Sequence, residues 1–94
     1  MITIIATLTF KPGTGAQFAA GFPATAARVL AAEPGTLLYK LVSLRDRPDT
    51  YRVVEFYESQ DAVDVHMANL RATPSTLGDL LAERPVIELH DDVS

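Results

Sequence analysis

A chain of 94 residues suffices for one domain with a small hydrophobic core, and we expect residues 1–94 to form that single domain. The absence of cysteine excludes disulfides, thiolate metal sites and cysteine nucleophiles. The net charge is −4 and the basic residues are scattered, which argues against binding to nucleic acid or to an anionic membrane. The hydrophobic content of 48% is more than a small monomer hides easily, so it favours a homo-oligomer.

The N-terminal segment, residues 2–10, alternates between apolar and mixed positions and therefore predicts a β-strand. One face of this strand carries Ile2, Ile4, Ala6, Leu8 and Phe10. The other face carries three threonines and Ile5. The segment lacks the basic start of a signal peptide, and no apolar run in the chain reaches membrane-spanning length. These features lead us to expect a cytoplasmic protein.

An alanine-rich segment, residues 16–32, predicts a helix whose apolar stripe includes Phe18 and Phe22. Thr14 is placed to cap this helix, and Pro23 should kink it or start a second helical segment. The sequence Glu-Pro-Gly that follows should end the helix.

Residues 36–44 and 50–58 are predicted strands joined by a polar turn. Ser59 should cap the next helix, where apolar positions recur with helical spacing. A further helix is expected to begin at Thr73-Pro74 and to end at Arg84-Pro85. Residues 86–90 form the last predicted strand, and a polar tail follows.

The predicted order β-α-β-β-α-α-β is that of an α+β, ferredoxin-like domain with a four-stranded antiparallel sheet. Helices would cover one face of the sheet. The opposite face, which carries Thr3 and Ile5, is neither clearly polar nor clearly core. We therefore expect it to pack against the sheet of a second copy of the chain.

Four stretches of the sequence, in this order and spacing, resemble the antibiotic-biosynthesis monooxygenase family. They are Phe10-Lys11-Pro12-Gly13, Glu33-Pro34-Gly35-Thr36-Leu37-Leu38-Tyr39-Lys40-Leu41, Val54-Glu55-Phe56-Tyr57-Glu58-Ser59-Gln60-Asp61-Ala62 and Val65-His66. The resemblance covers nearly the whole chain. It implies a homodimer whose two sheets close into an α+β barrel.

The resemblance also implies an activity. Several family members oxidise phenolic or hydroquinone substrates, including aromatic polyketides, with molecular oxygen and without metal, flavin or haem. Relatives that degrade haem carry an asparagine where this chain has Ala6, and a ligating histidine in the region that is residues 73–76 here. Because both are missing, haem degradation is disfavoured and no cofactor is expected.

His66 is the candidate catalytic residue, because a neutral imidazole facing the core could take a proton from a substrate phenol. The alternative is a structural histidine that binds a backbone carbonyl or Glu55. No metal site is expected, since the other histidine, His90, is distant in sequence and nothing supports the pair.

Five further side chains are candidates for binding a substrate in a pocket between the sheet and the helices: Tyr57, Tyr39, Glu55, Met67 and Phe22. Tyr57 stands where family members usually have an aromatic residue, and it could stack on an aromatic ligand. Glu55 could orient His66, although pairing with Arg52 or Lys40 is the more favoured interpretation.

The leading hypothesis is a cofactor-independent monooxygenase that acts on a small aromatic, quinol-like or polyketide-type substrate. A second hypothesis is a non-catalytic, dimeric ligand-binding or accessory protein of a biosynthetic pathway. A third is a non-oxidative isomerase or cyclase on the same scaffold. An open apolar cavity with His66 at its wall would favour chemistry, and a space filled by side chains would favour the accessory role.

Overall fold

The computed structural model describes residues 1–94 and contains seven elements in the order β-α-β-β-α-α-β. The strands are β1 (Ile2–Thr9), β2 (Thr36–Ser43), β3 (Thr50–Tyr57) and β4 (Val86–Asp91). The helices are α1 (Gly15–Ala32), α2 (Gln60–Ala72) and α3 (Leu77–Leu80). The strands form one antiparallel sheet in the order β2-β3-β1-β4, which confirms the predicted α+β, ferredoxin-like fold.

The core lies between the sheet and the helices, where the alternating strand residues are buried. Ala6, Leu8 and Phe10 pack with Phe22 of α1 and Val53 of β3. A second buried group lies beside it and consists of Ile4, Tyr57 and Val63. The opposite face of β1 is only half-buried in the single chain, in keeping with the period of two read from the sequence.

The helices differ from the prediction at two places. α1 continues through Pro23, so the second helical segment, one of the two outcomes expected at this proline, does not form; the loss of one backbone hydrogen bond does not end the helix. The helix predicted to start at Thr73-Pro74 is shorter, since α3 is a single turn that starts at Leu77. Thr73 is extended, as expected for a residue before proline, and it ends α2 instead of starting a helix.

Of the two predicted helix caps, one is present and the other is not. Ser59 caps α2 as predicted, because its hydroxyl accepts a hydrogen bond of 3.2 Å from the backbone N–H of Ala62. Thr14 precedes α1 but does not cap it; its hydroxyl instead donates to the carbonyls of Lys11 and Leu80. No helix is both long and apolar enough to cross a membrane.

Gly35 joins α1 to β2 at a point of close contact with α2. A Cβ at this position would lie 2.5 Å from the Cβ of Ala62. Gly35→Ala is therefore expected to lower the free energy of unfolding by roughly 1–3 kcal/mol. The matched control is Gly21→Ala, in the exposed middle of α1 with nothing within 4 Å of the added Cβ.

The control should stabilise the protein by roughly 0.5–1 kcal/mol, since alanine loses less backbone entropy than glycine in a helix. Urea denaturation of the two variants measures both changes. A Gly35→Ala variant as stable as the parent chain would contradict the close packing of this turn on α2.

Candidate active site

A cavity of about 600 Å³ lies between the sheet and the helices. Strand residues form its floor, α1 and α2 form its sides, and the segment from Thr73 to Leu77 closes one end. The strand residues on the floor are Ile4, Ala6, Leu8, Tyr39, Val53, Glu55 and Ile87. The helix residues are Phe18, Phe22, Thr25 and Arg28 from α1, with Met67 and Leu70 from α2. The volume and the mostly apolar lining suit a small aromatic molecule.

Only two of the lining residues carry a charge, Glu55 and Arg28. Glu55 is on β3 and is 5% exposed, so its carboxyl group is almost completely withdrawn from bulk solvent. Arg28 is on α1 and exposed. The cavity therefore has one buried acid in its floor and one solvated cation at its side.

His66 lies directly behind Glu55, between two carboxyl groups. Its Nδ1 is 2.8 Å from Oε1 of Glu33, and its Nε2 is 3.7 Å from Oε1 of Glu55, which is longer than a hydrogen bond. His66 is 1% exposed. It is thus buried behind the cavity wall, with Glu55 between it and the cavity.

Glu33 anchors the buried end of this group. Its Oε1 accepts hydrogen bonds from Thr36 at 2.8 Å, and its Oε2 accepts one from Asn69 at 3.1 Å. Burial raises the pKa of Glu33, but the hydrogen bonds outweigh burial and hold the pKa below its ordinary value. Because an ionised carboxylate only accepts, we assign the hydrogen of the His66 ring to Nδ1, which donates to Glu33.

The pKa of Glu55 is shifted in the opposite direction to that of Glu33. Burial in the cavity floor raises the pKa of Glu55, although the hydrogen bond from Tyr57 and the charge of His66 oppose that rise. The Tyr57 hydroxyl donates to Oε1 of Glu55 at 2.5 Å. A carboxyl group with a raised pKa at the wall of an apolar cavity is suited to accept a proton from a substrate and to return it.

The favoured interpretation that Glu55 pairs with Arg52 or Lys40 is wrong. Glu55 lies opposite Tyr39 in the sheet, whereas Lys40 lies opposite Val54. Residues an odd number of positions apart on a strand point to opposite faces, so both cations lie on the outer face of the sheet. Arg52 instead donates a hydrogen bond to the Thr7 hydroxyl at 3.2 Å.

Two aromatic rings lie close to the His66 ring. The Tyr39 ring stacks on Phe22, with centroids 5.4 Å apart and planes 14° apart, and its centroid is 5.3 Å from that of His66. The Tyr57 centroid is 5.4 Å from that of His66. Burial raises the pKa of both tyrosines, so each keeps its hydroxyl hydrogen and can only serve as a neutral donor or acceptor.

The structure divides the six candidate residues into two sets. Tyr39, Glu55, Met67 and Phe22 line the cavity. His66 and Tyr57 do not line it; they are buried behind it, and both are close to Glu55. No group of three or more histidine, cysteine, aspartate or glutamate side chains is arranged to hold a metal ion.

Two members of the buried group were missed by the sequence analysis. Glu33 was interpreted only as part of a helix stop, yet an acidic residue at a helix C-terminus opposes the helix dipole and so signals another role. Asn69 follows His66 by three residues on α2, and this spacing places both side chains on one face of the helix. That face turns both of them towards Glu33.

Comparison with protein families and solved structures identifies proteins similar to this chain. The antibiotic biosynthesis monooxygenase (ABM) family profile matches residues 1–72. No curated protein gives a significant match. Three similar solved structures are each described as a "putative antibiotic biosynthesis monooxygenase".

The structure from Caulobacter crescentus CB15 is 37% identical, with a TM-score of 0.87 and coverage of 99% of this chain and 90% of that chain. The structure from Bordetella bronchiseptica is 27% identical, with a TM-score of 0.79 and coverage of 99% and 97%. The structure from Nitrosomonas europaea is 17% identical, with a TM-score of 0.84 and complete coverage of both chains, and it supports the fold alone. The profile match and the 37% identity to the Caulobacter crescentus structure show that the chain belongs to the antibiotic biosynthesis monooxygenase family.

Proposed function

We propose that this protein is a cofactor-independent monooxygenase that oxidises a small phenolic, quinol-type or polyketide-type aromatic molecule with molecular oxygen. The observation that carries the proposal is the apolar cavity of about 600 Å³ with the buried Glu55 carboxyl group in its floor. Membership of the monooxygenase family supports the same reaction class.

The reaction begins with removal of a proton from the substrate, and Glu55 is the group placed to take it. When the His66 ring is uncharged, its Nε2 atom carries a lone pair; this atom lies 3.7 Å from Glu55 and can receive the proton in turn after a small movement. Glu33 then stabilises the protonated ring through Nδ1. His66 thus acts as the proton acceptor through Glu55 instead of touching the substrate.

The deprotonated substrate supplies the electrons that reduce O2. For an anthrone-type substrate, the carbanion transfers one electron to O2, and the two radicals combine into a carbon hydroperoxide. The hydroperoxide then loses water and leaves a carbonyl. One oxygen atom ends in the product and the other in water, so no external reductant is required. The protein contributes the base, the alignment by the Tyr39 and Phe22 rings, and exclusion of water.

Oxygen uptake with a panel of anthrones and hydroquinones tests the proposal. We expect uptake above the buffer rate for substrates with an acidic proton, and none above it for their methyl ethers. Uptake at the buffer rate for the whole panel would contradict the proposed oxidation. Isomerisation of a substrate without oxygen uptake would instead favour the isomerase alternative, because the same carboxyl–imidazole pair can return a proton to a different carbon.

We further propose that the functional unit is a homodimer in which the outer faces of two sheets pack together. Only 14 of the 94 residues are buried in the single chain, so much apolar surface remains accessible. On the outer face, Ile5 lies opposite Val54, and Leu38 lies opposite Phe56, and all four are half-buried. Burial of this face would add apolar contact without disturbing the cavity on the other side of the sheet.

Light scattering at micromolar concentration measures the oligomeric state. The predicted mass is twice the 10.2 kDa of one chain. Val54→Lys, which places a charge at the centre of the outer face, is expected to yield monomers. A parent chain that remains at 10.2 kDa would contradict the dimer.

A further inference from the structure

Arg28 is the only charged residue among the 18 of α1, and it lines the cavity. Both ion pairs of the structure involve His66, so no carboxylate neutralises the Arg28 guanidinium. The exposed positions of the helix around it are mainly alanine. A lone cation beside the cavity is thus left with its full hydrogen-bonding capacity for a ligand.

α1 places Arg28 between two residues that lie near the reacting group. Phe22, six positions before Arg28, lines the cavity together with Glu55. Glu33, five positions after Arg28, is hydrogen-bonded to His66, which lies beside Glu55. Arg28 therefore lines the same cavity as the reacting group.

We propose that Arg28 selects aromatic substrates that carry a carboxylate in addition to the hydroxyl or carbon acid that Glu55 deprotonates. This inference rests on the proposed function for the identity of the reacting group. The cavity of about 600 Å³ accommodates a fused two-ring aromatic that carries one substituent of each kind. A planar guanidinium binds a carboxylate through two parallel hydrogen bonds, which fixes orientation as well as affinity.

The same arrangement gives the two charged residues complementary tasks. Glu55 has a raised pKa and would repel a carboxylate once ionised, whereas Arg28 attracts one. A substrate that carries a carboxylate and a neutral, weakly acidic group therefore binds in one orientation. Its carboxylate lies at Arg28, and its weakly acidic group lies at Glu55.

Three ligands of nearly equal shape test the proposal: 6-hydroxy-2-naphthoate, its methyl ester and 2-naphthol. Their intrinsic fluorescence allows dissociation constants to be measured by titration without turnover. The parent chain should bind the carboxylate roughly two- to fivefold more tightly than the ester or the naphthol, which is the range for an exposed ion pair. Added salt should reduce this preference, because it screens exposed charges.

Arg28→Gln should abolish the preference, and Arg28→Lys should restore part of it. Arg71→Gln is the matched control: Arg71 is an exposed helical arginine that does not line the cavity, so this variant should keep the preference. Equal binding of all three ligands by the parent chain, an unchanged preference in Arg28→Gln, or no binding of any ligand would overturn the proposal. A preserved preference without oxygen uptake would contradict the monooxygenase function and leave the role of Arg28 intact.

Discussion

Glu55→Gln is expected to lower kcat for oxygen uptake by at least about 100-fold, the usual contribution of a general base. Glutamine keeps the size of the side chain and can still accept the hydrogen bond from Tyr57. It cannot take a proton from the substrate. Fluorescent ligand binding should change much less than kcat, because the cavity retains its shape and apolar lining.

Deuterium exchange into an anthrone under anaerobic conditions isolates the proton-transfer step from oxygen chemistry. The parent chain should accelerate exchange above the buffer rate, and Glu55→Gln should not. Glu88→Gln is the matched control, because Glu88 is an exposed glutamate on the outer face of β4, opposite Ile5. Equal exchange by the parent chain and Glu55→Gln would remove Glu55 from the mechanism.

Glu33→Gln is expected to lower the free energy of unfolding at neutral pH by roughly 2–4 kcal/mol, the range for breaking a buried charged hydrogen-bond group. The carboxylate of Glu33 accepts from three side chains. An amide provides a single accepting oxygen, and its NH2 group would face at least one of those donors. One or more buried donors would then lack a partner.

The pH dependence of this loss has a definite sign. The pKa of Glu33 in the folded protein is below its ordinary value of 4.5, so its stabilisation is fully present above pH 4.5. It is lost as the pH falls through the folded-state pKa. The stability difference between the parent chain and Glu33→Gln should therefore shrink on acidification, as measured by urea denaturation at several pH values.

Glu58→Gln provides the control for this comparison. Glu58 is exposed and lies close to the Gly35 turn, yet it makes no hydrogen bond to the buried group. Its substitution should change stability by less than about 0.5 kcal/mol. A Glu33→Gln variant as stable as the control at neutral pH would show that the buried hydrogen bonds contribute no net stability.

The fold could be predicted from the sequence because local patterns and global topology agree. The period of two in residues 2–10 identified the buried face of β1, and Ser59 marked the start of α2. The failures have local physical causes. The extended conformation before Pro74 shortened the last helical segment, and α1 continued through Pro23 in spite of one lost backbone hydrogen bond.

The candidate site could be predicted from the sequence only in part. Periodicity placed His66 on the inner side of α2, which is where it lies. Glu55 was among the residues expected in the pocket and does line the cavity, but its favoured pairing with Arg52 or Lys40 was wrong. The distance between His66 and Glu55, and the burial of His66 behind Glu55, depend on how α2 crosses the sheet. Glu33 joins the group from a position 33 residues before His66, so no local spacing connects the two.

Oxidation with isotopically labelled O2 tests the central claim most directly. If a carbanion formed at Glu55 reacts with oxygen in the cavity, the new carbonyl of an anthrone product should carry the label, and labelled water should appear in equal amount. Glu55→Gln should yield labelled product only at the buffer rate, and Glu88→Gln at the parent rate. Product whose new oxygen comes from solvent, or labelled product formed equally fast by Glu55→Gln, would contradict the account.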